Sequence, residues 1–249
     1  MLAAALLISC ATIGPSIAQA DFLQRLQRDR LGVVQDGTYD AGDNISFTLD
    51  RDGSYYLMRF TGRREVFVLY PQNASLGGRI LKYDSGKTAL QITGWGAMTL
   101  YTDAKPSGLP VMRTGDSTAP VMALASLDDV KVAAAAEAQK LAADRQLPLT
   151  FEAQWNELAS DPASRAECLD ALENAASGID RFARAPAAQR AIAAQIRTVR
   201  VVPGATPTLQ RKDHDLVVTY VTASGFAGRA SSRAIARALH LIFHLKGDD

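Results

Sequence analysis

The chain has 249 residues, 47% hydrophobic and 21% charged, with 27 Lys plus Arg against 26 Asp plus Glu. That composition excludes a disordered chain, and the near-zero net charge predicts no nucleic-acid partner, which needs a basic excess or patch. The length allows one large or two small domains.

The N-terminus carries an apolar, Ala/Leu-rich run from Leu2 to Ile13, a Gly14-Pro15 break and small residues at Ala18-Gln19-Ala20. An apolar core, a breaker and an A-x-A site make a secretory signal peptide over residues 1–20, cut after Ala20. No Lys or Arg precedes the run. The expected destination is the periplasm of a bacterium or the medium, with no transmembrane segment after cleavage. Leu7-Ile8-Ser9-Cys10 also resembles a lipobox, which makes a lipid anchor at Cys10 a secondary expectation. Cleavage leaves Cys168 as the sole cysteine, so no intramolecular disulfide is expected. Cys168 falls on a predicted apolar helix stripe with Leu172, Ala176 and Ile179 and should be an inert, buried thiol.

Residues 21–115 form a predicted β-rich lobe. Its first segment, to Leu31, is short and amphipathic, with Phe22, Leu23 and Leu26 among Arg25, Arg28 and Arg30. From Asn44 to Thr102 the apolar period is two: Ile45, Phe47, Leu49; then Tyr56, Met58, Phe60; then Val66, Val68, Tyr70; later Leu90, Ile92 and Met98, Leu100. Asp52-Gly53, Gly62-Arg63, Gly77-Gly78, Ser85-Gly86 and Gly94 to Gly96 punctuate these runs as turns. The expectation is an antiparallel meander of six strands, open or closed into a small barrel. Asp50-Arg51-Asp52-Gly53 begins like a calcium loop, but Tyr55 to Met58 replace the oxygen ligands that would follow, so it is predicted as a hairpin turn.

Residues 116–148 are expected to be a linker and connecting helix. Pro106, Pro110 and Pro120 with Gly108 and Gly115 mark the boundary region. Ser126 and Asp129 have capping-box spacing for a helix reaching Arg145. Residues 149–249 carry the order β-α-α-β-β-β-α: a strand near Leu149 to Trp155, helices after Asp161-Pro162 and at Pro186, and strands at Thr198 to Val202, Thr208 to Lys212 and Leu216 to Thr222. A final helix capped by Ser231 or Ser232 runs to about Leu245. The fold class is therefore α+β, a meander or small barrel followed by a helical connector and a small α+β lobe.

Three segments form a set: Ile80 to Thr102, ending Tyr101-Thr102; Arg200 to Thr206, with Pro203-Gly204-Ala205; and Gly225 to Ala236, with Gly228-Arg229-Ala230-Ser231-Ser232. With the signal peptide, they resemble an uncharacterised family of exported alphaproteobacterial proteins, a domain of unknown function. The resemblance implies envelope localisation. It carries over no activity and no functional residue.

The chemistry-bearing residues concentrate near the C-terminus. His240 and His244 stand one helical turn apart, the spacing of zinc hydrolases, and His214 on the preceding hairpin is a third potential ligand. Leu241 occupies the place of the general-base Glu, so the hydrolytic machinery is missing even where metal binds. At about 100° per residue, Arg233, Arg237, His240 and His244 share an arc of about 60°, opposite Ile235, Ala238, Leu239 and Ile242. The His pair is thus expected to extend a solvated basic face, with Arg229, Arg233 and Arg237 as anion-binding candidates. No G-x-S-x-G, phosphate-binding G-x-x-x-x-G-K or G-x-G-x-x-G occurs, and Asp213, His214, Asp215 and Ser231 lack a nucleophile turn. No cofactor is expected. The sequence points to non-catalytic binding or assembly with an envelope protein or polymer. The alternatives are a metal-binding protein or degenerate zinc hydrolase using His240 and His244, and a small-molecule carrier with a cavity among Tyr56, Phe60, Val68 and Leu100.

Overall fold

The structure is a computed structural model that describes residues 34–245. The signal peptide, Cys10 and the amphipathic segment before Leu31 lie outside the described residues.

Eight antiparallel strands close into an up-and-down barrel: β1 (Gly37–Asp40), β2 (Ser46–Asp52), β3 (Tyr55–Phe60), β4 (Phe67–Asn73), β5 (Arg79–Tyr83), β6 (Thr88–Ile92), β7 (Met98–Leu100) and β8 (Leu109–Gly115). Each strand pairs with its chain neighbour, and β8 returns to β1, which removes every free edge. Alternation fixes the inner face: Phe47, Leu49, Met58, Leu69, Leu81, Leu90 and Leu100 are fully buried in one cluster. A barrel of this strand number is just wide enough for its side chains to fill it. These residues do so, and the cavity expected for a small-molecule carrier is occupied by core.

Two expectations are corrected here. Phe67 and Leu69 point inward on β4, whereas Val66 and Val68 join Leu57 on the outer face in a second apolar cluster with Tyr55 and Phe226. Both faces of this strand are buried, so its apolar residues run on without a gap and period two cannot set the phase. The Pro110 region is not loop but part of β8, with Pro110 opposite Thr99.

From Gly115 the chain crosses residues 116–126 to α1 (Leu127–Arg145), which opens with the expected capping box: Ser126 Oγ accepts from Asp129 N at 3.1 Å and Asp129 Oδ2 accepts from Ser126 N at 2.8 Å. Then follow β9 (Thr150–Ala153), α2 (Trp155–Ser160), α3 (Ser164–Phe182), α4 (Pro186–Gln195), β10 (Thr198–Pro203), β11 (Thr208–Lys212), β12 (Asp215–Tyr220) and α5 (Ser232–Ile242). The sheet order is β11-β12-β10-β9. β10 runs parallel to both neighbours, and β11 and β12 form the expected hairpin with Asp213 at φ 53°. Val199, Val201, Leu216, Val218 and Tyr220 bury one sheet face with Cys168, Leu172, Ala176 and Ile179 of α3. Burial pushes the Cys168 thiol up to about 12, in keeping with an inert residue.

Helix α3 packs closely against α5. A Cβ on Gly178 would lie 2.5 Å from Ile235 Cγ2, so the missing side chain sets how near the two axes come. No helix among the described residues is long and apolar enough to cross a membrane.

Candidate functional site

An up-and-down barrel sends alternate turns to opposite ends. Turns 61–66, 84–87 and 101–108 share one end with turn 41–45, and this end holds the second lobe. Glu65, Asp84 and Asp103 project from three of these turns. On the other side stands the segment Gly228-Arg229-Ala230-Ser231-Ser232 and the first turns of α5.

The N-terminus of α5 leaves backbone N–H groups without intrahelical partners and carries partial positive charge. Ser231 is the N-cap, its Oγ accepting from Ala234 N at 3.2 Å. Barrel carboxylates take two more of these donors. Asp84 accepts from Ser231 N at 2.7 Å and from Ser231 Oγ at 2.5 Å. Glu65 accepts from Ser232 N and Ser232 Oγ, both at 2.7 Å. Two carboxylates thus cap a helix whose serines stand some 150 residues further along the chain.

The three arginines surround this joint. Arg229, with 1% of its side chain exposed, pairs through Nε with Asp170 of α3 and donates from Nη2 to Val66 O at 2.6 Å. Arg233, 10% exposed, donates to Asp103 Oδ1 at 2.7 Å and lies 4.4 Å over the Tyr83 ring. Arg181 of α3 takes the other oxygen of Asp103 at 2.6 Å. Arg237 donates to Ser85 O. The expected solvated face is corrected in part: Arg229 is buried, Arg233 is partly buried and both are paired, whereas Arg237 remains exposed. Helical periodicity put Arg233 and Arg237 on one face but did not show that barrel turns reach it.

Electrostatics at the joint are uneven. Burial pushes the Glu65 carboxyl above its ordinary value, against the opposing pull of the Ser232 hydrogen bonds and of Arg229 and Arg181. For Asp103 burial also works upward, but Arg233 and Arg181 outweigh it and hold the carboxyl below its ordinary value. Burial pushes Tyr83 up to about 12.

The histidines do not assemble. α5 ends at Ile242, and His244 follows in the left-handed region at φ 52°, so the pair does not share one continuous helical face. His240 packs edge-on against Phe182 with ring centroids 4.7 Å apart. His214 Nδ1 lies 3.0 Å from Gln195 O on the β11–β12 turn. Among the described residues, no group of three or more His, Cys, Asp or Glu is placed to hold a metal ion. Ser231 is committed to Asp84 and α5, apart from the Asp213-His214-Asp215 turn.

Sequence reasoning missed Glu65, Asp84 and Asp103. Each occupies a polar turn, and nothing local distinguishes a turn carboxylate that faces water from one that caps a helix. Asp84 does lie inside the first of the three resembling segments, so two of those segments meet at this joint.

No curated protein and no solved structure matches the chain. A family model covers residues 20–239. The chain therefore belongs to the DUF4908 family, a domain of unknown function.

Proposed function

We propose that this protein is a non-catalytic binding or assembly protein of the bacterial cell envelope, exported by the signal peptide of residues 1–20. What supports the reading is the use made of the charged side chains. Glu65, Asp84, Asp103, Arg181, Arg229 and Arg233 are consumed in fastening one lobe to the other. A catalytic site instead leaves its acids, bases and nucleophiles aimed into a cleft. The filled barrel argues against the carrier alternative, and the separated histidines against the metal alternative. The family match begins at residue 20, where the signal peptide is expected to end.

Fractionation and in-cell cross-linking of the C-terminally tagged chain test the reading together. A product beginning at Asp21 outside the cytoplasm, cross-linked reproducibly to envelope proteins or polymer, supports it. An uncleaved cytoplasmic chain, or a monomer that captures nothing, contradicts it.

A further inference from the structure

The barrel end opposite the joint carries turns 53–54, 74–78 and 93–97, and two of them build a groove. It holds about 450 Å³ and is lined by Asn73, Ser75, Leu76, Gln91, Thr93 and Trp95, among others. None of its lining residues is charged. Leu76 is 86% exposed and Trp95 72% exposed, unlike the apolar residues of the barrel interior.

Close contacts and hydrogen bonds shape the groove. A Cβ on Gly94 would lie 2.1 Å from Leu76 O, so the two turns approach as closely as a glycine permits. Thr93 Oγ1 accepts from Ala97 N at 3.0 Å and closes the Trp95 turn. Tyr101 Oη donates to Gln91 Oε1 at 2.9 Å, which orients that carboxamide. Leu76 itself sits at φ 56°, ψ 37°, a left-handed backbone that a branched L-residue adopts at a cost. The fold thus holds an apolar side chain outward in a strained position, a pattern that recurs at ligand clamps.

We propose that this groove binds a neutral polysaccharide, specifically a chain of β-linked N-acetylhexosamines. The inference rests on the envelope-binding reading and names its partner. A pyranose ring has an apolar C–H face and a rim of hydroxyls. The Trp95 indole and Leu76 match the face through apolar burial and weak C–H contacts. Asn73, Ser75 and Gln91 supply donors and acceptors for hydroxyl and acetamido groups. The uncharged lining disfavours an acidic polymer or an anionic membrane, each of which calls for Lys or Arg.

The test is a fluorescence titration of the purified chain with a β-1,4-linked N-acetylglucosamine tetramer. The chain has two tryptophans, so Trp155→Phe leaves Trp95 as the sole reporter. The expected result is a saturable blue shift. By calorimetry, Gln91→Ala and Trp95→Ala should each weaken binding, the latter by at least about tenfold. Unchanged circular dichroism in both variants separates lost binding from lost folding. No response up to about 10 mM tetramer overturns the proposal. So does a Trp95 shift with phosphatidylglycerol–phosphatidylethanolamine vesicles but not with sugar, which would make the tips a membrane contact. Because the titration uses purified protein, it fails independently of the fractionation that tests export.

Discussion

The two ends of the barrel are built from the same kind of turn and do opposite things. At the joint, turn carboxylates meet a helix N-terminus and arginines: Asp84 and Glu65 accept from Ser231 and Ser232, and Asp103 pairs with Arg233. At the free end, the turns hold Leu76 and Trp95 in solvent and carry no charge into the groove. The difference teaches where to look for each role. The conspicuous cluster of ionisable residues is a fastening. The site open to a partner is the uncharged end, which a search for catalytic signatures passes over.

Substitutions at the two ends should therefore diverge. The largest effect is expected for Arg229→Ala. It strands the Asp170 carboxylate and Val66 O at the lobe contact, and loss of one partner of a buried ion pair costs about 3–5 kcal/mol. Urea denaturation reads this directly, and a change below about 1 kcal/mol would break the contrast. Next comes Ser231→Ala, which removes the N-cap of α5 and the hydroxyl donor to Asp84, for an expected loss of about 1–2 kcal/mol.

The pH dependence sharpens the same point, because Glu65 and Asp103 at the joint shift in opposite directions. The Asp103 pKa is depressed on folding, so its contribution is full above its ordinary value of 3.8 and is lost as pH falls through the depressed value. The Glu65 pKa is raised, so its contribution is full below its ordinary value of 4.5 and is lost as pH rises through the raised one. Melting curves across pH should show Asp103→Asn gaining on the parent as pH falls, and Glu65→Gln gaining as pH rises. Parallel curves would contradict the assignment.

At the free end the sign reverses. Leu76→Gly should stabilise the fold by up to about 1 kcal/mol, since glycine takes φ 56° without strain, and Trp95→Ala should fall within about 0.5 kcal/mol of the parent. Both should weaken sugar binding. A residue that lowers stability yet supports binding is the expected signature of a functional position.

Legibility in the sequence follows the same division. Strand alternation located the barrel's inner face at Phe47, Leu49, Met58, Leu90 and Leu100 because one face meets core and the other does not. It lost the phase at Val66 to Leu69, where the second lobe buries the outer face as well. The Arg233–Arg237 face was legible as a face, but its environment was not, since its partners, Asp103 and the Ser85 carbonyl, lie far back along the chain. The glycines at Gly77-Gly78 and Gly94 to Gly96 were legible as turns. That Leu76 and Trp95 line one exposed groove follows from the pairing of β5 with β6, which sets the two turns beside each other and which neither turn's own residues reveal. His244 was misplaced because α5 ends sooner than its apolar spacing suggested.

The most direct test of the central claim, that this motif fastens the lobes, is a double-mutant cycle across the joint. Asp84→Ala, Ser231→Ala and the double variant would be compared with the parent by urea denaturation. The predicted coupling energy is about 1–3 kcal/mol, as for residues in direct hydrogen-bonded contact. Additive losses, with coupling near zero, would mean that Asp84 does not hold Ser231 and would contradict the account.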